Sequence, residues 1–332
     1  MSTRMTIAGD KTGAKPADAG QAGAPPAANR PMTGKEWLML SALAVLWGCS
    51  FLFNALAVRD MPVLSVVFIR VALAAVVLIA VLRLAREHLP RDPAIWRALF
   101  VMGFANSALP FSLIVWGQTH VAAGVASILN ATTPLFTVLF AHVLTTDEKL
   151  DRGRVMGVIL GFMGVAVMIG GDALRAIGTG LGAQMLFLAA ASSYAFSGIY
   201  GRRFRKLGVS PMATATGQLI AASVLLLPLV LIVDRPWSGT MPGLPAIGAM
   251  IGLAVFSTAL AYVLYFRILA TAGATNLALV TFLIPICAIL LGIVVLGEHL
   301  ALRHVVGMVL IGGGLAAIDG RLWRRLAGRG QG

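Results

Sequence analysis

The strongest constraint on this chain is a long stretch of sequence that occurs twice. Residues 124–164 read GVASILNATTPLFTVLFAHVLTTDEKLDRGRVMGVILGFMG, and residues 275–314 read TNLALVTFLIPICAILLGIVVLGEHLALRHVVGMVLIGGG. Pro134 returns as Pro285, Glu148-x-Leu150 as Glu298-x-Leu300, and Gly157 and Gly164 as Gly307 and Gly314. The offset is 151 at the prolines and 150 from the glutamates on, so one residue slips between them. A period of that size is half the chain, far above the roughly 20–50 residues of a solenoid unit. The chain therefore reads as two copies of one module.

Both copies consist of apolar runs. A helix crossing a bilayer needs about 20 mostly apolar residues. Ten such runs lie at 37–57, 63–82, 95–116, 121–143, 154–171, 181–201, 212–233, 244–266, 275–297 and 303–319. Hydrophobic residues make up 58% of the chain and charged residues 12%, against about 45–50% and 25% in soluble domains. The expected fold is an all-α polytopic membrane protein of ten transmembrane helices. Barrel strands are excluded because they would alternate over about ten residues. Five runs per copy is an odd number, so the second copy enters the membrane from the opposite face, as an inverted repeat. The expected organisation is a disordered tail at 1–33, a first five-helix repeat at 34–173, a second at 180–320, and a basic tail at 321–332.

The formal charge of +13 could suggest nucleic acid, but no basic segment is interleaved with aromatics, so no nucleic-acid partner is expected. The charge instead sets orientation. With the N terminus inside, 21 of 26 Lys and Arg fall in inside segments, four (Arg59, Arg175, Arg235, Arg303) fall outside, and Arg70 lies within a run. The positive-inside rule then places both termini in the cytoplasm, in a multi-pass plasma (inner) membrane protein. Cys49 and Cys287 sit in apolar runs outside any CxxC and read as packing residues. No metal-ligand cluster or cofactor motif is present, and neither group is expected.

Polar groups inside the runs are the candidate functional residues. Arg70 is the sharpest. A charge at mid-membrane costs about 2.5–3.5 kcal/mol on insertion scales, and no acid lies at mid-depth to pair with it. It reads either as a cation orienting an anionic or polar substrate, or as a snorkelling, carbonyl-bonded arginine. Gln218 occupies a similar depth in the matching run of the second copy. Asn106 matches Ser257-Thr258, and Asn130 matches Thr281. These groups read either as cavity lining or as interhelical hydrogen bonds, worth roughly 0.6 kcal/mol each. Paired interruptions at Pro134 and Pro285 are the best sequence pointer to a transporter site, with a simple kink as the alternative. Pro110 and Pro228 lack such an echo and read as kinks. Trp47-Gly48 matches Tyr194-Ala195, and Trp47, Tyr194, Tyr262 and Tyr265 are candidates for an aromatic lining. Trp116 reads either as part of that lining or as a residue of the interfacial belt. His142 reads as a structural imidazole or a proton carrier. Glu148 and Glu298 fall on opposite faces, so they cannot form a catalytic dyad. They read as structural turns that cap the following helix.

Taken together, these residues resemble the drug/metabolite transporter superfamily, specifically the EamA-type permeases. The resemblance rests on Trp47-Gly48, Arg70, Pro134-Leu135, Glu148-Lys149-Leu150 and Gly157-x6-Gly164, with Pro285, Glu298-x-Leu300 and Gly307-x6-Gly314 in the second copy. It covers about residues 35–320, and Tyr194-Ala195 departs from the Trp-Gly form. It implies two inverted five-helix repeats, a central cavity open alternately to each side, and a small-molecule substrate exported across the lipid bilayer. A membrane-embedded enzyme is the first alternative. It finds no HExxH, GxGD or GxSxG, so no enzyme activity is expected. A non-transporting structural or sensor protein is the second.

Overall fold

Every regular element among the described residues is helical, as lipid requires of a chain that must satisfy its backbone N–H and C=O groups internally. The computed structural model describes residues 32–145, 150–175, 179–237 and 241–319. In chain order the helical segments are α1 (Gly34–Ala57), α2 (Val63–Leu84), α3 (Pro93–Gln118), α4 (Ala123–Leu144) and α5 (Arg152–Arg175). They continue as α6 (Thr179–Lys206), α7 (Pro211–Asp234), α8 (Leu244–Ala274), α9 (Val280–Leu296) and α10 (Leu302–Asp319). Seven of these, α1 to α5 with α7 and α8, are long and apolar enough to cross a membrane. α9 and α10 are apolar but shorter. α6 has the length, at 28 residues, but Gln184, Ser192, Ser193, Tyr194 and Ser197 dilute its apolar character.

Local chemistry sets the ends. The Thr33 hydroxyl accepts from Glu36 N–H, and the Glu36 carboxylate accepts from Thr33 N–H at 2.8 Å. This capping box starts α1 three residues before the apolar run and brings Thr33 out of the expected tail. The rest of that tail, up to residue 31, and the basic tail at 321–332 lie outside the described residues. Asp92 caps α3 with Pro93 in the first turn, and Ser210 caps α7 with Pro211 there. α9 ends at Gly297, whose φ of 68° is open to glycine at little cost and turns the chain sharply into Glu298.

The two prolines behave differently. α4 is broken at Ala131-Thr132, and Pro134 sits in the first turn of the resumed helix, where it has no intrahelical N–H to lose. Pro285 lies inside α9, and the corresponding break falls ahead of it at Ala278-Leu279. The expected interruption at Pro285 is therefore displaced by about two turns. Upstream, Gly273 breaks α8 with φ 80° and ψ 166°.

The helices pack in a pattern that shifts onto itself by five. α1 packs on α9 as α6 packs on α4; α3 packs on α6 and α7 as α8 packs on α1 and α2. α5 and α10 pair with each other, antiparallel and backbone to backbone. A Cβ on Gly157 would lie 2.5 Å from the Gly314 carbonyl oxygen, and one on Gly164 would lie 2.7 Å from that of Gly307. Such small-residue seams let helices associate where water provides no drive. α2 and α7 also run antiparallel and are clasped at both ends. Ser65 donates from its N–H (2.6 Å) and hydroxyl (2.8 Å) to Asp234, while the Ser210 hydroxyl donates to Glu87. The outer surface exposes Val76, Val224, Leu290, Val294 and Val309, an apolar coat suited to lipid.

Candidate functional site

Eight of the helical segments surround a cavity of about 730 Å³; α5 and α10 contribute nothing to its lining. The cavity reaches the α6–α7 turn at Gly208, Val209, Ser210 and Pro211. None of the turns at 58–62, 119–122, 235–237, 241–243 or 297–301 lines it. It is therefore built toward one end of the bundle. At the other end, Glu298 accepts from Ala123 N–H at 2.6 Å and Gly124 N–H at 3.0 Å, joining the α9–α10 turn to the start of α4. Glu298 thus caps a helix of the opposite half and not the following helix, α10. The charge-assisted bonds satisfy two N-terminal donors that α4 cannot satisfy itself. Glu148 lies outside the described residues.

Eleven of the residues singled out in the sequence line this cavity: Trp47, Arg70, Asn106, Asn130, Tyr194, Gln218, Ser257, Thr258, Tyr262, Tyr265 and Thr281. Pro134 and Pro285 do not, which fits a role in shaping helices. His142 does not line it either; its Nδ1 accepts from Leu150 N–H at 3.2 Å across the α4–α5 turn.

Arg70 projects from α2 and is 5% exposed. Its Nε donates to the Thr258 hydroxyl at 3.0 Å, and its guanidinium carbon sits 3.7 Å from the centre of the Phe111 ring. Thr258 is held in turn by donating to Leu253 carbonyl at 2.8 Å. No carboxylate among the described residues lines the cavity. The carbonyl-bonded alternative for Arg70 is thus replaced by a hydroxyl and an aromatic face. Beside it a neutral network joins both halves. Gln218 Nε2 donates to Tyr262 Oη at 3.0 Å, Asn106 Nδ2 reaches Gln218 Oε1 at 3.3 Å, and Ser197 donates to Asn106 Oδ1 at 2.7 Å. The aromatic wall is continuous: Trp47 and Tyr265 centroids lie 5.7 Å apart, Tyr265 and Phe266 5.1 Å, and Tyr262 and Phe266 6.1 Å.

Two of the three π segments among the described residues explain how α3 and α8 deliver these groups. Phe104–Ala108 carries Asn106, and Gly252–Leu260 carries Ser257 and Thr258. A π turn inserts one extra residue and so rotates the next side chains toward the interior, and such turns are frequent at functional sites. Of the pair Ser257-Thr258, which the sequence does not separate, the residue with an uncommitted hydroxyl is Ser257. Its Oγ is buried and without a hydrogen-bond partner, and Thr258 is the residue that holds Arg70.

The sequence pattern of the EamA-like transporter family matches the chain twice, over residues 35–170 and 181–318. The chain belongs to the EamA-like transporter family. Named relatives agree with that. An uncharacterized transporter of Archaeoglobus fulgidus is 26% identical over 84% of this chain and 97% of its own length. The uncharacterized inner membrane transporter YedA of Escherichia coli K12 is 29% identical over 79% of this chain and 83% of its own. Protein PecM of Dickeya dadantii is 26% identical over 80% and 86%. A solved crystal structure superimposes with a TM-score of 0.62 at 20% identity, covering 89% of this chain and 99% of the other, and so shares the fold.

In this EamA-like membrane transporter, sequence reasoning missed Phe111, Asn54 and Gln118. Phe111 lies in an apolar run where an aromatic looks like any core residue; only its place under Arg70 distinguishes it. Asn54 Nδ2 donates to Gln118 Oε1 at 3.0 Å and Gln118 Nε2 to Phe51 carbonyl at 2.8 Å, tying α1 to α3. Trp116 is 58% exposed and points away from the cavity, where a belt residue belongs.

Proposed function

We propose that the chain is a secondary transporter that exports small metabolites or amphipathic compounds across the plasma membrane by alternating access. In this reading ten helices cross the membrane as two inverted five-helix repeats with both termini cytoplasmic. The antiparallel pairing of Gly157 with Gly314 and Gly164 with Gly307 supports the inversion, because equivalent helices related by a two-fold axis in the membrane plane run in opposite directions. Residue charge supports the orientation, and the inner membrane named for YedA supports the compartment. In that orientation the α6–α7 turn is cytoplasmic, so the cavity is loaded from inside. The observation that carries the reading is the cavity itself: one space, lined by both halves, joined to one end of the bundle, with Glu298 tying the halves at the other.

Gly198 provides the test. It lines the cavity, and a Cβ there would meet nothing within 4 Å. Gly198→Trp therefore projects its ring from a point where the backbone has room for a side chain, into the path. Media from deletion and overexpression strains are compared by mass spectrometry. A solute whose external level follows expression, and falls at least tenfold toward the deletion level with Gly198→Trp at equal membrane abundance, is the expected result. A plugged protein indistinguishable from wild type would sink the cavity as the pathway.

A further inference from the structure

Resting on the transport reading above, we infer that the cavity selects an organic anion: one carboxylate, held by Arg70, on a flat apolar body held by the aromatic wall. Arg70 is a built site with free donors. Its Nε is committed to Thr258 and one face of its guanidinium to Phe111. Its two Nη groups donate to no acceptor among the described residues, and the side chain is 5% exposed within the lining. A planar fork with its outer edge unpaired matches a carboxylate through two parallel hydrogen bonds. Tyr194 extends the cradle. Its ring packs edge-on against Phe111, centroids 6.3 Å apart, and its hydroxyl has no hydrogen-bond partner among the described residues.

The remaining lining sets the sign of the charge. No Asp or Glu among the described residues lines the cavity, so a substrate cation meets no opposite charge there, only ring faces and neutral acceptors such as Asn130 Oδ1, while Arg70 and, near the α6–α7 turn, Arg205 repel it. A neutral amide or hydroxyl offers the two Nη groups a single uncharged acceptor and leaves donors unpaired at a cost, whereas a carboxylate offers two charged acceptors in matching geometry. The body of the ligand meets Trp47, Tyr262, Tyr265 and Phe266, which present ring faces and few donors. A zwitterionic amino acid satisfies Arg70 and then buries an ammonium against rings and amides alone, so it binds less well than the same skeleton without the amine.

The proposal is tested by binding, not transport. Detergent-purified full-length protein is titrated with phenylacetate, its neutral isostere phenylacetamide, and phenethylammonium, following tryptophan fluorescence, to which Trp47 in the aromatic wall contributes. Phenylacetate is expected to bind at least tenfold more tightly than the amide, with no saturable signal from the ammonium. Arg70→Gln, which places in the first half the residue type found at Gln218 in the second, is expected to equalise acid and amide while keeping amide affinity. Arg70→Lys retains part of the preference. Equal affinity for acid and amide in the wild type, tighter binding of the ammonium, a preference that survives Arg70→Gln, or no phenylacetate binding at millimolar concentration would each overturn it. If Arg70→Gln fails to fold, Phe111→Leu, which removes only the ring under the guanidinium, is expected to weaken phenylacetate alone. Unchanged phenylacetate binding by that variant also counts against the proposal. Anion binding without any transported solute defeats the transport reading and leaves the site; transport of neutral solutes indifferent to Arg70 does the reverse.

Discussion

The two halves of this protein agree where backbone meets backbone and differ where side chains meet the cavity. At the α5–α10 seam the halves contribute the same residues at the same spacing, Gly157 and Gly164 facing Gly314 and Gly307. In the cavity, the matching positions of α2 and α7 hold a cation and a neutral amide, Arg70 and Gln218. The π turns of α3 and α8 hold Asn106 on one side and Ser257-Thr258 on the other. The reason is geometric. Across this seam Gly157 faces the mate of Gly164, and Gly164 the mate of Gly157, so each close approach occurs twice and needs glycine on both sides. A small solute has no two-fold axis, so a lining that recognises it must be unequal.

Breaking the seam has the largest expected effect. Gly157→Leu places a side chain where a Cβ alone would come within 2.5 Å of the Gly314 carbonyl oxygen. Backbone cannot yield as a side-chain end can, so the loss is about 3 kcal/mol or more, at or above the top of the overpacking range. Monodisperse yield on size-exclusion chromatography should collapse, and Gly307→Leu should match it. A mild effect from either one would end the symmetry argument at the seam.

Exchanging the unequal pair is the next test. The double variant Arg70→Gln with Gln218→Arg keeps composition but moves the cation from Phe111 and Thr258 to Tyr262 and Asn106. Phenylacetate affinity should fall about tenfold, or 1.4 kcal/mol, and remain low, because the new site lacks the stacked ring. Full recovery in titration would show that the halves are interchangeable after all.

Glu298→Gln leaves one neutral carbonyl oxygen to accept from α4 and turns an NH2 donor toward the other N–H, so one of the two bonds is lost, at about 1 kcal/mol or more. The end of the bundle tied by Glu298 should then open more often. A cysteine at Val121, in a background lacking Cys49 and Cys287, should react several-fold faster with an impermeant maleimide applied from outside. No change in rate would reduce Glu298 to a turn residue. Asn106→Ala is the smallest change. It removes the acceptor for Ser197 and a long contact to Gln218, worth roughly 0.6 kcal/mol, read as a small fall in thermal midpoint.

Much of the scaffold was legible because its signals are local or periodic. The TGKE capping box at Thr33 to Glu36 is also present in the sequence, though an apolar run by itself places the start later. The cavity was half legible. Polar residues in lipid-length runs stand out because burial is costly, so Arg70, Asn106 and Gln218 announce themselves. Phe111 does not, since an aromatic in an apolar run has no cost to reveal it. Glu298 reads as capping its own following helix because sequence distance is the only distance a sequence contains; its partners lie 175 and 174 residues away.

The sequence by itself therefore determined the class, the doubling and the positions where backbones touch, since these follow from hydropathy, period and the small size of glycine. Only the tertiary structure decided what the unequal residues do. It placed Thr258 beside Arg70, put the break before α9 and not at Pro285, and sent Glu298 across to the other half. Each of those depends on which helix faces which, and that is fixed by packing over the whole bundle and by no single stretch of chain.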